Sequence, residues 1–460
     1  MEVSLGLKKG KSKYIKERET KLFYRSSVLF IFALYVLPPY FGIRLPGFDM
    51  TALRFMTLVI LLLIFADHKR ANDFLELIKE EKITPFLLFY IFVLGYTMVF
   101  RADFNCFFNP FIEILQLYLL IYVIRESVGV NKTVKMLIAY LYLFVVLGIV
   151  EAVTQFSPFL LLQTIHRGTL YSGSFVRNGS YRIMSNAGHS LGYGLFLVTA
   201  MPFAGIDLEA NEYNIFKRPL LLIGTIINIF LTGSRSSLGI MVLEFALMFI
   251  FTEKKYIKMN IVSLVVFSSL FMAVVFATQS TSFGKYIMLQ ITLLIDTLFD
   301  TTFSIKYGAD LTNMKGSSNY RRHIWRIFFL KWLNPILGQG KKRGFMSVLD
   351  DGSVIRSIDN FYVYHYVMYA YPGLISYCLF LISMGLRMII EFFRSKSALV
   401  KMVLIGTIGY YIHLSVVDAL MTLKYQYVLF AIFICLDLPK NEKNLTSSYF
   451  GKKKSVYIKE

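Results

Sequence analysis

The chain has 460 residues, of which 56% are hydrophobic and only 17% charged, against ~25% charged in an ordinary soluble domain. A soluble enzyme of this size would leave much of its Phe, Leu and Ile in water, and a disordered chain would lack them, so both classes are excluded. The 49 basic and 29 acidic residues give a net charge of +20, which reads first as a topology signal, because Lys and Arg collect on the cytoplasmic loops of membrane proteins; nucleic acid is not an expected partner.

In chain order, residues 1–26 are basic and too polar for the apolar core of a cleavable signal peptide, and they read as a cytoplasmic N-terminus. Apolar runs follow at 27–43, 51–66, 84–100, 107–124, 136–155, 187–206, 219–233, 236–251, 259–278, 371–390, 400–418 and 425–438. A crossing needs ~20 mostly apolar residues, and shorter runs borrow flanking residues or thin the bilayer. The pattern predicts an all-α polytopic membrane protein with about twelve transmembrane helices. An even number places both termini on one side. That side holds thirty of the 49 basic residues, including Lys8, Lys9, Lys254, Lys255, Lys453 and Lys454, which makes it the cytoplasm. Residues 27–278 then carry nine spans with an outer loop at 156–186. A large extracytoplasmic loop occupies 279–360, three spans fill 361–438, and 439–460 form a basic cytoplasmic tail. Long ordered loops are usually functional. Cys106, Cys378 and Cys435 are scattered, which supports neither a disulfide framework nor a zinc site.

The two long outer loops hold the unusual charges. Loop 156–186 has Arg167, Arg177 and Arg182 with no Asp or Glu, and loop 279–360 has eleven basic residues against six Asp. Between spans seven and eight, Arg235 sits in the polar turn Leu231-Thr232-Gly233-Ser234-Arg235-Ser236-Ser237. A charge at the membrane is costly and usually marks function, although an arginine at a helix end can also snorkel. Its planar fork of donors matches phosphate oxygens. Several arginines on one outer face point to an anionic ligand. A lipid diphosphate fits, with its chain between helices and its phosphates at the interface.

Four pieces then occur in a telling order. Arg182 to His189 and Gly192 precede Phe230-Leu231-Thr232-Gly233-Ser234-Arg235-Ser236. Tyr320-Arg321-Arg322-His323-Ile324-Trp325 leads to Pro335-Ile336-Leu337-Gly338-Gln339-Gly340, and Asp359-Asn360-Phe361-Tyr362 leads to Tyr371-Pro372-Gly373. Together they resemble the bacterial O-antigen polymerase and O-antigen ligase superfamily over roughly residues 180–395. The resemblance implies a GT-C-type membrane glycosyltransferase, free of metal or other cofactor, at the outer face of the bacterial cytoplasmic (inner) membrane. Its substrate would be a glycan on undecaprenyl diphosphate, with membrane lipid, a chain-length regulator and a flippase as further partners. Arg235 and Arg321 match the family's two key arginines, and Arg182 and Arg322 are further diphosphate ligands. Asp359 stands where ligases carry a histidine presumed to be the base, and an aspartate can also accept the acceptor's proton. His323 is placed to assist, and Tyr320, Tyr362 and Asn360 to contact sugar. His189 and His365 read rather as helix-end hydrogen-bonding groups, and His413 as a polar packing contact.

The aspartate favours a polymerase joining repeat units into O-antigen, capsule or exopolysaccharide. A ligase passing glycan to lipid A core or protein is the nearest alternative, as in lipopolysaccharide assembly. A transporter or flippase of lipid-linked sugars would show paired repeats and interrupted helices, which the sequence lacks. Part of the large loop is expected to form amphipathic helices on the membrane surface, with Trp325 and Trp332 at the interface, since their seven-residue spacing puts both on one helical face. Reporter fusions at Lys255 and Lys315 should give opposite signals for inside and outside. Matching signals would sink the topology.

Overall fold

The computed structural model describes residues 20–46, 48–166, 176–177, 180–299, 301–309, 323–341, 345–348, 352, 354–355 and 358–436, and among these helix predominates. The first helix, α1, covers residues 20–35. The next are α2 (Ala52–Phe65), α3 (His68–Glu80), α4 (Thr84–Arg101), α5 (Phe104–Val123) and α6 (Val130–Thr154). Then come α7 (Ser190–Ala200), α8 (Pro219–Leu231), α9 (Arg235–Ile250), α10 (Ile257–Thr278) and α11 (Ser282–Phe299). The last three are α12 (Phe361–Ser395), α13 (Ala398–Leu414) and α14 (Leu423–Ile434). Four two-stranded antiparallel ribbons sit in the connections, among them β1 (Gly42–Leu45) with β2 (Phe48–Thr51), and β3 (Val176–Arg177) with β4 (Ser180–Tyr181).

A helix overlies each of the twelve apolar runs. Five stretches are long and apolar enough by themselves to cross a membrane: Thr84–Arg101, Phe104–Val128, Val130–Thr154, Lys254–Thr278 and Phe361–Ser395. The outer surface suits hydrocarbon, since α10 exposes Ile261, Val262, Val265, Val266 and Leu270, a larger apolar face than water tolerates. The chain is thus compatible with a helical membrane protein. At the centre lie α7 and α13, buried along most of their length, and α13 packs against α7, α9, α12 and α14. A helix that is apolar all round belongs inside.

Several boundaries differ from the sequence reading. Helix α1 stops at Tyr35 rather than running to 43, because Pro38 and Pro39 follow and proline disfavours helix at itself and at the residue before it. Loop 279–360 contains α11. Tyr286 of α11 donates to the carbonyl of Phe230 (2.8 Å), Leu294 meets Gly239, and Arg235 donates to Thr297 (3.3 Å). These contacts lay α11 across the ends of α8 and α9 where the two helices meet. Trp325 and Trp332 do not share a helix: a 3-10 turn, Ile324–Phe329, ends between them, and each indole stacks on its own phenyl ring, Phe328 and Phe345 respectively. Residues 1–19 and the tail from 437 lie outside the described residues.

The break in α12 shows how the loop is tied down. Ala370 has φ 56° and ψ −166°, and Pro372 has no N–H to give Met368, four residues earlier. The segment 335–340 supplies what is missing. Gly340 N–H donates to Met368 O (3.2 Å), Gln339 N–H to Val367 O (2.8 Å), and Pro335 O accepts from Tyr371 N–H (3.1 Å). Arg101, closing α4, clamps the segment from outside through Gly338 O (2.6 Å) and Leu337 O (3.2 Å). A Cβ on Gly338 would stand 2.0 Å from Met368 O, so only glycine lets the two backbones meet. Gly338→Ala should therefore cost about 1–3 kcal/mol, the usual penalty of forcing a methyl into a packed site. The check is the thermal unfolding midpoint in detergent, where an unchanged value would refute the contact.

Candidate functional site

The turn between α8 and α9 brings two arginines together. Thr232 closes α8, Gly233 takes φ +58°, and Ser234 caps α9 by accepting from Ser237 N–H (3.2 Å). Arg235 is the first residue of α9 and is 8% exposed. Arg182, 7% exposed, arrives from the segment after β4 and donates through Nε to Thr232 O at 2.7 Å. Its side chain lies on Gly233, where a Cβ would stand 3.2 Å from Nε. The neighbouring Ile183 N–H adds a bond to Leu231 O (3.2 Å). A cation at the C-terminal carbonyls of α8 is favoured by the helix dipole. A cation at the N-terminus of α9 is opposed by it, so Arg235 and that terminus together attract an anion.

Histidines and acids flank the pair. His413 Nε2 lies 3.0 Å from Ser236 Oγ. His189 caps α7, accepting at Nδ1 from Leu191 N–H (3.1 Å), so a neutral ring carries its proton on Nε2. Burial first, then Arg182, hold its imidazole below the usual range, and Asp359 works the other way. Asp359 is half-buried and acts electrostatically on His189. Asp418, in the segment 415–422 joining α13 to α14, has its carboxyl pushed up to about 6. Burial is the main cause and Asp359 a lesser one, while the Ala419 N–H bond and Lys341 oppose the rise. Lys341 in turn is anchored through its N–H to Asp103 Oδ2 (2.6 Å). Arg182 and Asp359 thus both act electrostatically on His189, and Asp359 and Lys341 both act on Asp418. Among the described residues no group of three His, Cys, Asp or Glu is arranged to hold a metal ion.

The other sequence candidates fall in three classes. Asn360 caps α12 by accepting from Val363 N–H (3.0 Å) and donates to Ser415 O (2.5 Å), which holds Asp359 beside the 415–422 segment. Tyr362 donates to Tyr411 O (3.2 Å) and so ties α12 to α13. His365 pairs with Tyr90 Oη at 2.9 Å inside the bundle. His323 is half-buried at the head of the 3-10 turn, which packs on α12 through Phe328 and Tyr366. Tyr320, Arg321, Arg322 and Arg167 lie outside the described residues, as does the side chain of Arg177.

Sequence reasoning passed over Glu113, Glu151, Lys341 and Asp418. Glu113 lies within electrostatic reach of Lys341, Arg54 and Asp418, and Glu151 is fully buried. A signal existed for the acids: Glu113, Glu151, Glu244 and Asp418 each interrupt an otherwise apolar run, and such a residue is a functional suspect by default. For Lys341, one of many loop cations, there was none.

Gly233 carries the geometry of the arginine pair. Gly233→Ala places an L-residue in the left-handed region, at about 1–2 kcal/mol, and crowds Arg182. Its unfolding midpoint in detergent should fall accordingly; a midpoint equal to wild type would show that the turn does not need glycine. No protein-family profile and no curated protein matches the chain.

Proposed function

We propose that this chain is a glycosyltransferase of the bacterial cytoplasmic membrane that joins glycan repeat units carried on a polyprenyl diphosphate into a surface polysaccharide. The observation that carries the reading is the convergence of Arg182 and Arg235 on one turn, with Asp359 and Asp418 in electrostatic contact beyond His189. In this reading twelve helices cross the membrane. Helix α3 lies at the cytoplasmic face, α11 lies across the outer ends of α8 and α9, and the whole is GT-C-like with both termini in the cytoplasm. The ion pairs Lys401–Glu253, Lys255–Glu212 and Lys217–Asp207 then fall on the cytoplasmic side.

The chemistry needs an anion-stabilising and a proton-accepting region side by side. A hydroxyl of the acceptor sugar attacks the anomeric carbon of the donor, and a new C–O bond forms. The bond from that carbon to the diphosphate oxygen breaks, and the electron pair leaves with the lipid diphosphate. Arg182 and Arg235, with Arg321 from the large loop, hold the charge that develops there. The acceptor's proton passes to a carboxylate, Asp359 or Asp418. A carboxyl of pKa about 6 is largely ionised at neutral pH and close enough to it to serve as a base.

The arginines test this. Arg321→Lys keeps the charge but loses the bidentate fork, so it should fail almost as badly as Arg321→Ala. One charge-assisted contact of ~1.5–3 kcal/mol corresponds to a loss of roughly 10- to 150-fold in rate. The Arg235→Ala/Arg321→Ala double variant should lose less than the sum, because both groups act on one leaving group. Arg44, exposed on β1 opposite Asp49, is the control and should tolerate Lys. The readout is the chain-length distribution of surface polysaccharide in a deletion strain, with membrane abundance checked. Long polymer from Arg235→Ala and Arg321→Ala at normal abundance removes the clamp. Single repeat units on the surface lipid support a polymerase, whereas long chains stranded on the carrier point to a ligase.

A further inference from the structure

Glu151 stands in the last turn of α6 and is 0% exposed. Its Oε1 accepts from Met184 N–H (2.8 Å) and from Tyr181 Oη (3.2 Å), and its Oε2 accepts from Ser185 N–H (2.9 Å). These three donors belong to residues 181–185, the short segment from which Arg182 reaches Thr232, and Ser157 adds a side-chain hydrogen bond from outside it. Met184 has φ −130° and ψ −16°, and Ser185 has φ +48°. Two successive N–H groups that turn to one side, the second on a left-handed residue, form a concave nest for an anion. A non-glycine residue at positive φ persists only where its surroundings hold it. Here the carboxylate fills the nest. Asn186 then pins the far side by donating to Tyr35 O (3.1 Å), Val36 O (3.1 Å) and Tyr425 Oη (2.9 Å).

We propose that Glu151 is the positioning residue of the arginine pair: its carboxylate, seated in the nest of Met184 and Ser185, sets the backbone that delivers Arg182 to the 232–234 turn beside Arg235. The proposal rests on the reading that these two arginines bind a diphosphate. A carboxylate is required because both oxygens accept. Glutamine has the same shape but turns an NH2 toward one of the two N–H donors, and that buried donor is left without an acceptor. The backbone must then shift, and Arg182 with it. Glu151 does not touch the ligand in this account; it acts through Arg182.

The test is a binding cycle on the purified full chain in detergent, with farnesyl diphosphate as probe and an unfolding midpoint recorded for every variant. Arg182→Ala and Arg235→Ala should each weaken binding. Glu151→Gln should weaken it roughly 10-fold, about the worth of one charge-assisted contact, yet cause no further loss in the Arg182→Ala background. Tyr181→Phe removes one bond to the carboxylate and leaves both backbone N–H bonds, which keeps the proposal testable should Glu151→Gln fail to fold; a smaller loss is expected, again absent without Arg182. Unchanged affinity in a folded Glu151→Gln protein, or an equal loss with and without Arg182, overturns the positioning role while leaving the clamp intact. A wild-type chain that does not bind the probe, or an Arg235→Ala chain that binds it normally, removes the diphosphate reading itself.

Discussion

Pro372 leaves the Met368 carbonyl without a helical donor, and a buried carbonyl needs a partner from elsewhere in the chain. Each interruption of a helix must be satisfied from within the protein. At the α12 break the donors come from Gln339 and Gly340, and at the end of α8 the acceptors are taken up by Ile183 N–H and Arg182. The same need that repairs the backbone thereby draws residues far apart in sequence to one end of the bundle. Lys341 follows Gly340 directly, and Arg182 precedes Ile183. Repair and site construction are one set of contacts.

Electrostatics then divides that end into two regions. The guanidinium groups gather on the turn between α8 and α9, one of them with a helix N-terminus behind it. Asp359 and Asp418 lie beyond His189, near enough to feel one another and Lys341. A buried guanidinium is expensive unless its donors are engaged, and Arg182 meets part of that cost at Thr232 O. Arg235 meets part of its own at Thr297 on α11. That bond ties α11, and with it part of the large loop, to the bundle. At the other end of the bundle, lysines and carboxylates form ordinary surface ion pairs, such as Lys135 with Glu209 and Arg125 with Glu81.

Much of the architecture could be read from residue order. Apolar runs placed every helix that overlies them, because a long apolar stretch has few other ways to bury its backbone polar groups. The turn Thr232–Ser234 was legible as an interruption with an arginine beside it, and the glycines of Pro335–Gly340 as a place of close backbone approach. These are local properties: hydropathy, a missing side chain, a missing N–H. The pair Pro38-Pro39 was equally local, and it stops α1 earlier than apolarity alone suggested.

What residue order could not reveal was partnership at a distance. Glu151 and Ser185 are 34 positions apart, and Asp103 and Lys341 are 238 apart. No periodicity announces that a carboxylate on α6 accepts from the segment that carries Arg182, or that Asp359 comes within electrostatic range of His189. Trp325 and Trp332 share a spacing that suits a helix, yet a 3-10 turn ends between them and the indoles part. Helix α11 lies in the large loop, where Phe230, Gly239 and Arg235 offer it contacts. Composition and local chemistry determined which segments are helical and where they break. The packing of those helices alone decided which side chains meet, since burial selects partners by space and hydrogen-bonding need rather than by position along the chain.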